Sequence, residues 1–273
     1  MSASPFSDPE LSLWLRPQRP TGTGVLILAG SSGRIDADRA RLLSDHGAIS
    51  LAIRWFGGPG QQPGPFATPL ELFGEALDAL AGECDRLAIM GVSFGAEAAL
   101  LTASRDRRVT ATVAFAPSSV VWGGWTGDRW TSHWTVGGEP LPYVPFVDWW
   151  SPTTDPPAYL ELYRLSLAAD PAAAAQAAIA VERIGGDLIL VAGGDDQVWS
   201  STEFAAMIAA RRGAYGQPTT VITSEDAGHR ATLPGEPQTR AGVVMRRGGS
   251  DAADAELGAA AWPHIATALR LTS

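Results

Sequence analysis

The sequence predicts an α/β fold, a mostly parallel, doubly wound sheet with a tryptophan-rich cap inserted in it. Apolar runs of strand length alternate with helical patterns, and several of those runs close on glycine. The runs are continuously apolar rather than alternating, as parallel strands buried on both faces must be. The chain is long enough for one full core at 273 residues, and its 45% hydrophobic and 18% charged residues are those of a globular chain. The expectation is therefore a single domain over residues 1–273.

The first strand is expected at 24–30, "GVLILAG". A helical pattern follows over 36–47, and Gly47 suits the left-handed stop position. "AISLAIR" (48–54) is the next strand, and a Gly- and Pro-rich loop leads away from it. A helix is expected from Thr68, with a capping box from Thr68 to Glu71 and Pro69 at its first position. Strand 85–92, helix 94–104 and strand 109–117 continue the alternation. Strand 186–194, helix 201–213 and strand 218–225 resume it after an interruption. A last helix over 251–270 contains Pro263, which should kink or split it.

The interruption, 117–171, shows neither helical nor strand period, yet it holds Trp122, Trp125, Trp130, Trp134, Trp149 and Trp150. Tryptophan does not suit disorder, and a loop this long in a compact domain is usually functional. It is read as an ordered cap. Cap packing and an aromatic acyl pocket are equally good accounts of its rings, because one ring can do both.

The ionisable residues exclude several chemistries. All twenty basic residues are arginine, so Schiff-base chemistry, pyridoxal-phosphate anchoring and a P-loop lysine are ruled out. Cys84 is the single cysteine, and the four histidines are scattered. No metal or cofactor is therefore expected. A net charge of −9 argues against nucleic acid or an anionic membrane as partner. No apolar run is long enough to cross a bilayer. The N-terminal stretch lacks the pattern of a signal peptide, which makes a cytoplasmic location the expectation.

In doubly wound sheets, ligands bind beyond the carboxyl ends of the strands. Three such ends carry Ser93, the pair Asp195-Asp196, and His229, in that order. This is the α/β-hydrolase arrangement. Ser93 sits in G-V-S-F-G, a pattern that occurs often by chance and on its own more often marks an inert helix cap or bend. Its strand-to-helix setting and its ordered partners argue for a nucleophile. The imidazole would accept the hydroxyl proton, and a carboxylate would fix the imidazole's tautomer. The residues alone leave Asp195 and Asp196 both open. The backbone amide of Phe94, with that of Ser31 in the loop after the first strand, would form the oxyanion hole. Pocket candidates are Trp122, Trp125, Trp130, Trp134 and Trp199. Arg34, Arg54 and Arg129 could hold a carboxylate or phosphate, though solvation at the surface explains each more simply.

"MGVSFGAEAALLTASRDRRVTATVAFAPSSVVWGG", "LILVAGGDDQVWSS" and "EDAGHR" resemble the hydrolase domain of the acyl-CoA thioesterase / bile acid-CoA:amino acid N-acyltransferase family. The S-x-G-A-E run and the D-D-Q-V-W loop carry the likeness. The resemblance implies Asp196 as the acid, and a small-molecule acyl ester or thioester, acyl-CoA among the candidates, as substrate. Animal members carry an N-terminal β-sandwich, whereas about twenty residues precede the first expected strand here. Amide-forming members use cysteine where this chain has Ser93, which favours transfer of the acyl group to water. An acyltransferase, lactonase or cyclase with the same triad is the alternative enzyme. A non-catalytic binding protein on the same fold is the alternative of another class.

Overall fold

In the computed structural model, which describes residues 6–238 and 242–272, seven strands form the central sheet. They are β1 (Ser12–Leu15), β2 (Thr23–Leu28), β3 (Ile49–Ile53), β4 (Arg86–Val92), β5 (Val109–Phe115), β6 (Asp187–Gly193) and β7 (Thr220–Ser224). Their order across the sheet is β1-β3-β2-β4-β5-β6-β7. All neighbours are parallel except β1, which pairs antiparallel with β3. This edge strand was not expected from the sequence. Trp14 caps it, sending its indole N–H to Phe6 O and lying under the Arg16 guanidinium.

Successive residues of a strand face opposite layers. On β2, Leu26 and Leu28 enter one core while Val25 and Ile27 enter the other. The first core is roofed by α2 (Glu71–Ala81), α3 (Phe94–Ala103) and α6 (Ser201–Ala214). The second is closed by α1 (Ala37–Asp45) and α7 (Asp251–Ala268). Two further helices, α4 (Leu160–Ala169) and α5 (Pro171–Gln176), precede β6.

Three local expectations change. Thr68 and Pro69 are not helical. They pair in parallel with Trp134 and Thr135, so tertiary pairing overrides the capping signal and α2 starts at Glu71. The freed Glu71 carboxylate instead accepts from the Gly137 amide, 2.7 Å away. Helix α7 runs unbroken through Pro263 rather than splitting. The 117–171 segment is also more regular than its pattern suggests. Gly123–Trp125 pairs with Trp130–Ser132, Trp134–Val136 pairs with Glu139–Pro140, and α4 ends the segment.

Candidate active site

The backbone at Ser93 is held at φ 58°, ψ −124°, a conformation unfavourable for any residue with a Cβ. Packing on both sides enforces it. A Cβ on Gly91 would collide with the Gly95 carbonyl, and one on Gly95 with the carbonyls of Leu28 and Ala29. The glycines therefore let α3 leave β4 against β2 with no space between them. The Ser93 amide donates to Phe115 O at 2.9 Å, which ties the turn to β5. Although Ser93 occupies the cap position of α3, its side chain makes no capping hydrogen bond. The inert-cap reading loses its physical basis.

His229 and Asp196 meet at the ends of β7 and β6. His229 Nδ1 lies 2.7 Å from Asp196 Oδ2, and both side chains are buried. A carboxylate can only accept, so Nδ1 carries the hydrogen of this bond, and in the neutral imidazole Nε2 is then the nitrogen with the free lone pair. Asp196 Oδ1 is itself fixed by the amides of Val198 (2.8 Å) and Trp199 (3.2 Å). Asp195 is turned elsewhere: it accepts from Gln197 Nε2 and from the Gly249 amide. Of the two acids, only Asp196 is bonded to the imidazole. The Trp199 ring stands edge-on to His229 at 5.5 Å.

Ser93, Phe94, Ser31 and His229 all line one cavity of ≈ 680 Å³. Phe94 opens α3, so its amide belongs to the first helical turn, whose N–H groups lack intrahelical acceptors. The 117–171 segment adds Trp125, Trp130, Phe146, Trp150, Tyr159 and Tyr163 to the lining. Burial, and then the charges of Glu97 and Asp196, push the Tyr163 phenol well above its usual range and keep it neutral. Among the described residues, no group of three or more His, Cys, Asp and Glu side chains could hold a metal ion. No helix among them is long and apolar enough to cross a membrane.

Residues 68–270 match the family described as BAAT / acyl-CoA thioester hydrolase C terminal. The chain belongs to this family. It is 26% identical over 278 residues to human acyl-coenzyme A thioesterase 6, a match that covers 94% of this chain and 61% of that protein. The α/β-hydrolase fold has solved counterparts. A Klebsiella pneumoniae protein assigned as a dienelactone hydrolase superposes with a TM-score of 0.57 at 11% identity, over 95% of this chain and 98% of its own. The type II thioesterase BorB from the borrelidin biosynthetic cluster gives 0.51 at 16% identity, over 97% and 99%.

Within this BAAT-type hydrolase domain, three of the five tryptophans expected in the pocket lie elsewhere. Trp122, Trp134 and Trp199 are fully buried behind the cavity wall. They satisfy core contacts first: Trp122 stacks on Phe146, Trp134 packs on Trp55 and Phe73, and Trp199 fills the space between Phe94 and Tyr163. Arg54 and Arg129 are also away from the cavity, whereas Arg34 lines it. His133 is buried against the Phe94 ring at 4.2 Å, with Nδ1 3.5 Å from Glu97 Oε1.

Trp150, named among the cap tryptophans but not among the pocket candidates, lines the cavity, and Glu97, Arg230 and Arg247 were not singled out in the sequence. Glu97 had a signal, since an acid in an otherwise apolar helix must find partners. Arg230 adjoins His229 and was visible for that reason. Arg247 sits in an irregular stretch with no marker.

Proposed function

We propose that this chain is a serine hydrolase that cleaves an acyl ester or thioester through an acyl-enzyme intermediate. The observation that carries the reading is that His229, paired with Asp196 at 2.7 Å, lines the same cavity as Ser93, whose backbone is held at positive φ. Membership of the BAAT / acyl-CoA thioester hydrolase family supports the same reaction class.

Ser93 Oγ attacks the carbonyl carbon while its proton passes to His229 Nε2. Asp196 stabilises the resulting imidazolium through Nδ1–H. The carbonyl electrons move onto oxygen, where the amides of Phe94 and Ser31 receive them. Collapse of the intermediate breaks the bond to the alcohol or thiol, which leaves with the proton from Nε2. Water then attacks the acyl-Ser93 ester by the same route in reverse, releasing the acid and restoring Ser93. Trp125, Trp130 and Trp150 hold the apolar part of the substrate, with 117–171 acting as the cap.

The test is turnover of short 4-nitrophenyl esters and acyl thioesters, with fluorophosphonate labelling of the folded protein. Ser93→Ala is expected to abolish both turnover and labelling; turnover at the wild-type rate in that variant would falsify the proposal.

A further inference from the structure

The cavity has two chemically different ends. Trp125, Trp130, Phe146 and Leu162 make one apolar, while Arg34, Arg230 and Arg247 reach it from the other. We propose that these three arginines form an anion subsite, selecting substrates that carry a carboxylate or phosphate within a few bonds of the scissile carbonyl. This rests on the hydrolase reading above and adds the charge of the substrate to it.

The arginines converge from separate parts of the chain. Arg34 follows Ser31 in the loop after β2, and Arg230 adjoins His229. Arg247 is held against the same loop, because its carbonyl accepts the His229 amide at 2.9 Å. The point a Cβ would occupy on Gly242 is 3.1 Å from Arg230 Nη2, 4.0 Å from Arg247 Nη2 and 3.3 Å from Ser32 Cβ. Two guanidinium tips therefore meet beside the residue that follows Ser31.

Convergence of like charges is costly, and the charges feel one another. Burial, then Arg247 and Arg34, push Arg230 down to about 10. Burial and then Arg34 also lower Arg247. Carboxylates also border this region, with Asp148 among the residues lining the cavity. Asp36 Oδ1 comes only to 3.8 Å from Arg34 Nη2, while Asp254 accepts the Gly228 amide and Asp195 the Gly249 amide. A substrate anion entering this end relieves the repulsion. The guanidinium fork matches either carboxylate or phosphate geometry.

Position narrows the class. The cluster adjoins His229 and the Ser31–Ser32 backbone, so the anion it holds lies close to the reacting carbonyl. The phosphates of a coenzyme A thioester are separated from the thioester by the whole pantetheine arm. The structure thus favours a compact acidic ester or thioester, such as a half-ester of a short diacid or a phosphorylated small ester.

Two measurements separate this inference from the reading it rests on. In the first, kcat/KM is compared for a 4-nitrophenyl half-ester of glutarate and its methyl-capped neutral twin, and for acyl-CoA against acyl-pantetheine. The half-ester is expected to be favoured by at least about tenfold (~1.4 kcal/mol). The Arg230→Gln/Arg247→Gln protein should lose most of that preference. No half-ester preference, or a preference only for acyl-CoA over acyl-pantetheine, overturns the proposal.

In the second, thermal unfolding of the Ser93→Ala protein is followed with added glutarate or inorganic phosphate. Either anion should raise the midpoint, and the rise should vanish when Arg230→Gln/Arg247→Gln is added, or Arg34→Gln if the double change prevents folding. An equal rise with and without the arginines overturns the subsite. Since Ser93 is absent from this arm, it reports on the arginines even if the hydrolase reading fails.

Discussion

Glu97 Oε1 accepts a 2.6 Å hydrogen bond from the indole N–H of Trp134, joining the first turn of α3 to the 117–171 segment. The same oxygen accepts the Trp122 amide at 3.2 Å, and the carboxylate is fully buried. One side chain, a single helical turn past Ser93, thus anchors two stretches of the cavity's outer wall. Replacing it with alanine leaves two buried donors unpaired. Each such donor costs about 1–3 kcal/mol, so Glu97→Ala is expected to lose roughly 3 kcal/mol in urea unfolding. A loss under about 1 kcal/mol would mean that water replaces the carboxylate freely.

The two neighbouring acids should behave differently. Asp196→Asn puts an amide opposite His229 Nδ1, which destabilises the tautomer that leaves Nε2 free for Ser93. By analogy with Ser-His-Asp enzymes, the proposed mechanism predicts that kcat falls by roughly 10³–10⁴. Asp195 holds the Gly249 amide and Gln197 rather than the imidazole. Asp195→Asn should retain activity within about tenfold, a difference of ~1.4 kcal/mol. Steady-state kinetics on one ester decides the matter, and equal losses would argue against this assignment of roles.

Gly95 sits where α3 crosses the end of β2. Its Cα faces the carbonyls of Leu28 and Ala29 so closely that a methyl group has no room. Neither partner is a flexible side-chain tip; both are backbone, at the last residue of β2 and the one after it. Gly95→Ala should therefore displace α3 and cost more than the ~1–3 kcal/mol usual for overpacking. The expected outcome is aggregation or a strongly lowered melting temperature. A wild-type melting temperature would show that the sheet can yield.

The parallel sheet was legible because strands buried on both faces leave uninterrupted apolar runs, as in "GVLILAG" and "GDLILVAGG". The places of Ser93 and His229 followed from those runs, since each lies just beyond a strand end. Other features depend on partners far away in sequence. Thr68 carries a sound capping signal, but Trp134 arrives from the inserted segment to pair with it. The short strand β1 has a weak pattern of its own and exists through its pairing with β3. Nothing local distinguishes Trp122 from Trp125, because the side a ring faces is decided by α4 and Phe146.

Arg39 and Glu236 form a buried bidentate pair, at 2.7 and 2.8 Å, that ties α1 to the loop after β7. Burial alone would raise the Glu236 carboxyl, but the Arg39 guanidinium reverses the effect and holds it below its usual range. A folded-state value below the unfolded one gives stability that is fully present above about pH 4.3. That stability is lost as pH falls through the folded value. Glu236→Gln should therefore flatten the acid limb of the stability curve below about pH 4.3 and lower the plateau above it. Parallel acid limbs in the two proteins would assign the sensitivity to other carboxylates.

The tryptophans offer the sharpest division between packing and function. Trp125 and Trp130 line the cavity edge-on to each other at 5.2 Å, and both remain more than a third exposed. Trp122 is fully buried, its ring against Phe146 and Tyr163 and its N–H donated to Ser118 Oγ at 2.8 Å. Trp122→Ala should cost about 3–5 kcal/mol, as for other buried aromatics. Trp125→Ala and Trp130→Ala should change stability by less than about 1 kcal/mol. They should instead raise KM for esters with long or aromatic acyl groups, while acetyl esters change little. A KM that ignores acyl length in both variants would leave those two rings as surface packing of the 117–171 segment.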